Sequence, residues 1–105
     1  PLESHQHLVD TLKKYNRPMV CTEYMARTQG STFQSIMPML RKENVGAINW
    51  GFVAGKIQTY FSWETITVPC ETEEPELWFH DILRKDGTPY CAEEVECIKS
   101  QTGKE

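Results

Sequence analysis

Two short apolar runs bracket a single helical pattern, and that arrangement leaves few folds open. The first run, Pro18-Met19-Val20-Cys21-Thr22-Glu23-Tyr24, is punctuated by Tyr15-Asn16-Arg17 on one side and Gln29-Gly30-Ser31 on the other. It is too short for a helix and reads as a buried strand. The second, Val45-Gly46-Ala47-Ile48-Asn49-Trp50-Gly51-Phe52-Val53, has the same character. Between them Phe33, Ile36, Met37 and Leu40 recur at i, i+3, i+4 and i+7 behind a Ser31-Thr32 cap, the spacing of a helix with one apolar face. Pro38 lies inside that pattern and predicts a kink, because proline lacks the donor and clashes with the preceding turn. Strand, helix and strand over residues 18 to 53 form a right-handed crossover unit, so the two strands are expected to be parallel neighbours.

Alternation along the strands adds a constraint. Met19, Cys21 and Glu23 form one set and Gly46, Ile48 and Trp50 the matching set. Facing both sets inward brings Glu23 and Trp50 to one mouth and turns Val20, Ala47 and Asn49 toward the helices. A carboxylate at the C-terminal end of a parallel strand stands where barrel enzymes place catalytic groups. Parallel strands, however, need both faces covered and occur almost only inside larger sheets. A closed barrel of eight strand-helix units takes about 250 residues, whereas this chain has 105 and two convincing strands. The expected fold is therefore α/β, a piece of a larger parallel sheet with unpaired edges.

Elsewhere the pattern is mostly helical. Leu8, Val9, Leu12 and Tyr15 predict an amphipathic helix over residues 3 to 15, with Ser4 as its cap and Lys13 and Lys14 suited to its C-terminal dipole. His5 and His7 diverge on such a helix and are expected in solvent. A long loop follows the second run, from Ala54 to Glu74, carrying Lys56, Gln58, Tyr60, Phe61 and Trp63. Long loops in compact domains are often functional, and aromatic faces suit the apolar face of a pyranose. Pro75 is expected to open a helix in which Leu77, Trp78 and Ile82 face the sheet. His80 has no visible partner, Asp86-Gly87 is a turn, and residues 92 to 100, with Val95 and Ile98, predict a short final helix.

The bulk numbers narrow the function. A net charge of −4 argues against nucleic-acid binding, and no apolar run approaches the roughly 18 residues of a membrane span. The chain begins at Pro1 without a signal segment, which leaves its localisation open. Its four cysteines, at 21, 70, 91 and 97, have no zinc-ribbon spacing and read as reduced structural residues. Met37 and Met39 read as part of a helix packing on a sheet. There is no GxSxG elbow, HExxH pair, phosphate-cradling loop or dinucleotide fingerprint.

Four segments carry a family resemblance. Arg17-Pro-Met-Val-Cys-Thr-Glu-Tyr-Met-Ala-Arg27, Val45-Gly-Ala-Ile-Asn-Trp-Gly-Phe-Val-Ala-Gly-Lys56, Glu76-Leu-Trp-Phe-His-Asp81 and Asp86-Gly-Thr-Pro-Tyr90 together resemble the last quarter to third of a clan A (β/α)8 glycoside hydrolase, of the cellulase and xylanase-like enzymes related to family 5. The resemblance implies that residues 1 to 105 are a partial catalytic domain: helix 6, strand 7, helix 7, strand 8 and C-terminal helices of a TIM barrel. It implies that Glu23 is the catalytic nucleophile and that Trp50 floors the sugar site, with Tyr24, Lys56, Gln58 and Trp63 as further substrate-binding residues. The partner is a carbohydrate, and neither a metal nor an organic cofactor is implied. The acid/base Glu of such enzymes would lie upstream of Pro1, so the chain by itself is expected to be inactive and to need the N-terminal part of the barrel. Glu64 in the long loop is the one substitute acid the chain itself suggests. Two other classes remain open: a carbohydrate-binding module using Trp50 and the Tyr60 to Trp63 loop without chemistry, and a degenerate remnant without sugar function.

Overall fold

A computed structural model describes residues 1–103. Three helices, α1 (Leu2–Lys13), α2 (Phe33–Lys42) and α3 (Ala92–Thr102), accompany two short parallel strands, β1 (Val20–Cys21) and β2 (Gly46–Ala47). The two strands pair with Val20 opposite Gly46 and Cys21 opposite Ala47. The Met19 carbonyl accepts from the Gly46 amide at 3.0 Å, and that of Cys21 from the Ile48 amide at 2.9 Å. In a parallel ladder this leaves the peptide groups of Val20 and Ala47 turned to the two outer edges.

Helix formation follows local chemistry. α2 opens on a capping box: the Ser35 amide donates to Thr32 Oγ1 at 3.3 Å and the Thr32 amide to Ser35 Oγ at 3.2 Å. Pro38 does not end the helix. The residue whose carbonyl it leaves free, Gln34, is exposed, as is Pro38 itself, so water can take that acceptor. α1 begins one residue ahead of the expected range, with Pro1 rather than Ser4 at the cap position. α1 and α2 each hand over to a strand through an asparagine in the left-handed region, Asn16 (φ 49°) and Asn44 (φ 56°), where its short polar side chain is tolerated better than most.

The main core lies between α2 and its neighbours. Phe33, Ile36, Met37, Met39 and Leu40 of α2 are buried with Val9, Tyr24, Met25 and Ile82. Met19, Cys21 and Val45 pack against this cluster from the strands, and Val95, Cys97 and Ile98 from α3. All four cysteines are free thiols.

The pairing register corrects the expected alternation on β1. Met19 and Cys21 face the helices, whereas Val20 stands on the open side, 60% exposed. A methyl group added at Gly46 would sit 3.3 Å from Val20 Cγ2, which places these two residues on one face. The apolar demand of α2 is met by Met19, Cys21 and Val45, so the opposite set is left outward. On β2 Ile48 shares the open side with Gly46 by alternation and is exposed. Both strands are much shorter than the apolar runs, because regular pairing needs a partner ladder and each has only one.

The helix expected from Pro75 is absent. Residues 75–83 run without helical bonds, and their amides donate to distant carbonyls: Phe79 to Tyr60 at 2.9 Å, His80 to Thr59 at 3.0 Å, and Ile82 and Leu83 to Phe52 at 3.1 and 2.9 Å. Trp78 and Ile82 are buried as anticipated, while Leu77 is exposed. Trp78 stacks on Tyr90 with ring centres 4.7 Å apart and lies 5.3 Å from Tyr60, forming a second, smaller core.

Arg27 ties these parts together. Its guanidinium donates to both carboxylate oxygens of Glu94 on α3, Nε to Oε1 at 2.8 Å and Nη2 to Oε2 at 2.5 Å. It also donates to the carbonyls of Trp78 and Asp81, at 3.3 and 2.9 Å, and lies 4.7 Å from the Tyr90 ring centre. Both charged side chains are buried, so the planar five-donor fork of arginine is what satisfies a carboxylate and two carbonyls at once.

Candidate active site

Parallel pairing sends the chain out of β1 and β2 at the same end of the sheet. Beyond Cys21 a bend at Thr22 interrupts the alternation and leaves Glu23 exposed. Beyond Ala47 the chain reaches Trp50, which is 55% exposed. An open cleft of about 480 Å³ lies there, lined by Trp50, Gln58, Thr59, Phe61, Trp63 and His80 among others. Its volume is within the usual range for a small-molecule site. Trp63 sits in a short 3₁₀ turn, Trp63–Ile66, and meets Phe79 edge-on at 4.9 Å. Gln58 is held at φ 58°, an uncommon backbone state for a residue with a side chain. Lys56, together with Trp50 and Gln58, lines an adjoining pocket whose wall includes Asp81.

Trp50, Gln58 and Trp63 are thus brought together, with Lys56 alongside. The single mouth expected for Glu23 and Trp50 is not formed: with Met19 and Cys21 turned to the helices, Glu23 lines a different groove, of about 490 Å³, with His5, Val9 and Leu12 of α1 and Met19 of the first run. Tyr24 requires a correction to its expected binding role: it is 4% exposed and meets Phe33 edge-on at 5.8 Å within the helical core. Burial, and after it the nearby Cys97 and Cys21 thiols, push its phenol well above the ordinary value. Glu64, the substitute acid, is exposed, and hydrogen bonding to the Ser62 hydroxyl holds its carboxyl below the usual range. A proton donor needs a shift the other way.

Three residues at the site were not singled out by the sequence reading. His80 is buried, with Nδ1 2.5 Å from the Met25 carbonyl. Burial lowers its pKa, while the Met25 carbonyl and the charges of Asp81 and Glu23 act upward and Arg27 acts downward. His80 itself lines the Trp50 cleft. Asp81 is fully buried and accepts from Thr59 Oγ1 at 2.6 Å through Oδ1. Asn49 donates through Nδ2 to the carbonyl of Gly51, and to that of His80 at 3.4 Å. The available signal was a polar pair, His80-Asp81, between Trp78-Phe79 and Ile82, all of them buried.

Among the described residues no group of three or more His, Cys, Asp or Glu side chains is placed to hold a metal ion, and no helix is long and apolar enough to cross a membrane. Comparison with protein-family models, with curated proteins and with solved structures returns no match.

Proposed function

We propose that this chain is the nucleophile-bearing part of a retaining β-glycosidase, acting on O-glycosidic bonds of a plant-type polysaccharide or oligosaccharide when the rest of a (β/α)8 barrel is present. The observation that carries the reading is the pair of parallel strands whose C-terminal ends lead to Glu23 and Trp50, with Trp50 and a second exposed indole, Trp63, lining an open cleft and Glu23 in a separate groove. Unpaired outer edges and the exposed apolar side chains of Val20, Ile48 and Phe52 favour a larger sheet around this pair.

The chemistry needs two carboxyl groups about 5 Å apart. Glu23 attacks the anomeric carbon as its bond to the leaving oxygen breaks, giving a glycosyl-enzyme. A second carboxyl, on another unit of the barrel, gives its proton to the leaving oxygen. That group then takes a proton from water as the water displaces Glu23, restoring both carboxyls. Trp50 binds the sugar face and excludes water.

In the complete barrel, Glu23→Gln should reduce hydrolysis of an aryl β-glycoside by on the order of 10³-fold or more while substrate binding is retained, because the amide keeps shape and loses nucleophilicity. Activity within about tenfold of the parent would remove Glu23 from the mechanism. The 105-residue chain alone should show no turnover. Turnover by it that disappears in Glu23→Gln would mean that the second carboxyl lies within the chain.

A further inference from the structure

We propose that His80 Nε2 is a hydroxyl-binding group of the Trp50 cleft, accepting a hydrogen bond from a saccharide hydroxyl whose ring lies against the indole. The inference rests on the carbohydrate reading of the cleft and assigns a contact within it. Its basis is the state in which the imidazole is held.

Nδ1 is 2.5 Å from the Met25 carbonyl, which can only accept, so Nδ1 carries a proton. In the neutral ring Nε2 then presents a lone pair. The neutral form is favoured by burial, and the facing charges are those named above: Glu23 and Asp81 on one side of the balance, Arg27 on the other. The ring is fixed on several sides. Phe79 meets it edge-on at 4.1 Å, its own amide donates to Thr59 at 3.0 Å, and its carbonyl accepts from Asn49 at 3.4 Å.

Nε2 has no protein partner among the described residues. Two other acceptors near it, Asn49 Oδ1 and Asp81 Oδ2, are also unpartnered, but they are sealed from solvent. His80, although only 7% exposed, is part of the cleft lining, and its Nε2 is not among the buried polar atoms left without a partner. A mostly buried acceptor in the wall of a cleft that also holds an exposed indole has the form of a polar group that orients a ligand. A pyranose supplies both requirements, an apolar face for Trp50 and O–H donors around its edge.

The test uses the complete barrel carrying Glu23→Gln, so that ligand is not consumed, titrated calorimetrically with cellotetraose and with xylotetraose. His80→Asn keeps a donor near Nδ1 for Met25 and has nothing at the depth of Nε2. His80→Gln reaches that depth with an amide oxygen and gives up the Met25 bond. His80→Asn should bind at least one tetraose about tenfold more weakly, the effect of one lost hydrogen bond, at an unchanged urea unfolding midpoint. His80→Gln should stay within about threefold of the parent. Trp50→Ala should abolish measurable binding. If Trp50→Ala loses binding while His80→Asn matches the parent, the inference is overturned and the carbohydrate reading stands. Equal losses in both His80 variants with lowered midpoints would make the residue structural and also overturn it. If neither tetraose binds the parent, both readings fall together.

Discussion

The helical layer and the segment from Gly51 to Tyr90 bury comparable side chains by different means. In α2, Phe33, Ile36 and Leu40 are buried because a 3.6-residue period puts them on one face, and the backbone satisfies itself through nearby bonds. In the second segment Trp78, Phe79 and Asp81 are as deeply buried, yet the backbone of residues 78–83 finds its partners far away in sequence. Phe79 bonds to Tyr60, Ile82 to Phe52, and the carbonyls of Trp78 and Asp81 to the side chain of Arg27. The first region could nearly be built from its own sequence. The second exists only once distant pieces have met, and it supplies most of the cleft. Loops positioned by a scaffold are a common location for binding groups; here the scaffold reaches its loop through buried Arg27, the His80–Met25 contact and the packing of Ile82.

That dependence can be broken directly. Arg27→Met leaves the Glu94 carboxylate buried without its partner and should destabilise the chain by about 3–5 kcal/mol in urea unfolding. The double variant Arg27→Met/Glu94→Leu should regain most of that loss, since a well-packed apolar pair often replaces a buried ion pair at little cost. A single-variant loss below about 1 kcal/mol would mean that the two regions stand independently of this link.

A milder change sharpens the contrast within the second segment. At Gly51 an added methyl group would lie 2.3 Å from Asp81 Oδ1 and 2.8 Å from Thr59 Oγ1, too close for either to remain in place. Gly51→Ala should cost about 1–3 kcal/mol. Hydrogen exchange should quicken at the amides of His80, Ile82 and Leu83, while those of α2 keep their protection relative to global unfolding. Uniform acceleration through α2 would show one cooperative unit in place of two differently built regions.

The smallest effect is expected where the logic is local. Thr32→Ala removes the hydroxyl that caps α2 and should cost about 1 kcal/mol, with faster exchange confined to the first turn. Spread of that effect to the amides around His80 would contradict the separation.

The helical layer was legible in the sequence because its determinants are short-range. Thr32 ahead of Phe33, Ile36 and Leu40 specifies a start and a face, and the two apolar runs joined by one helix specify parallel strands. Strand facing was not legible. Alternation says which residues share a side, but only the pairing of Val20 with Gly46 decides that Met19 and Cys21 go to the helices. Nor could the course of residues 75–83 be read, since Pro75 with Leu77, Trp78 and Ile82 suits a helix until Tyr60 and Phe52 offer their carbonyls instead. Of the site, Trp50, Gln58 and Trp63 were visible as residue types that suit a sugar, and the structure gathers them in one cleft. Tyr24 was drawn into the core by Phe33, and His80 gained its state from Met25, 55 positions away. The sequence by itself determined periodicity, the Thr32 cap of α2 and strand direction, which depend on neighbours along the chain. The tertiary structure alone decided facing, the loop's path and the protonation of His80, because each depends on a partner distant in sequence.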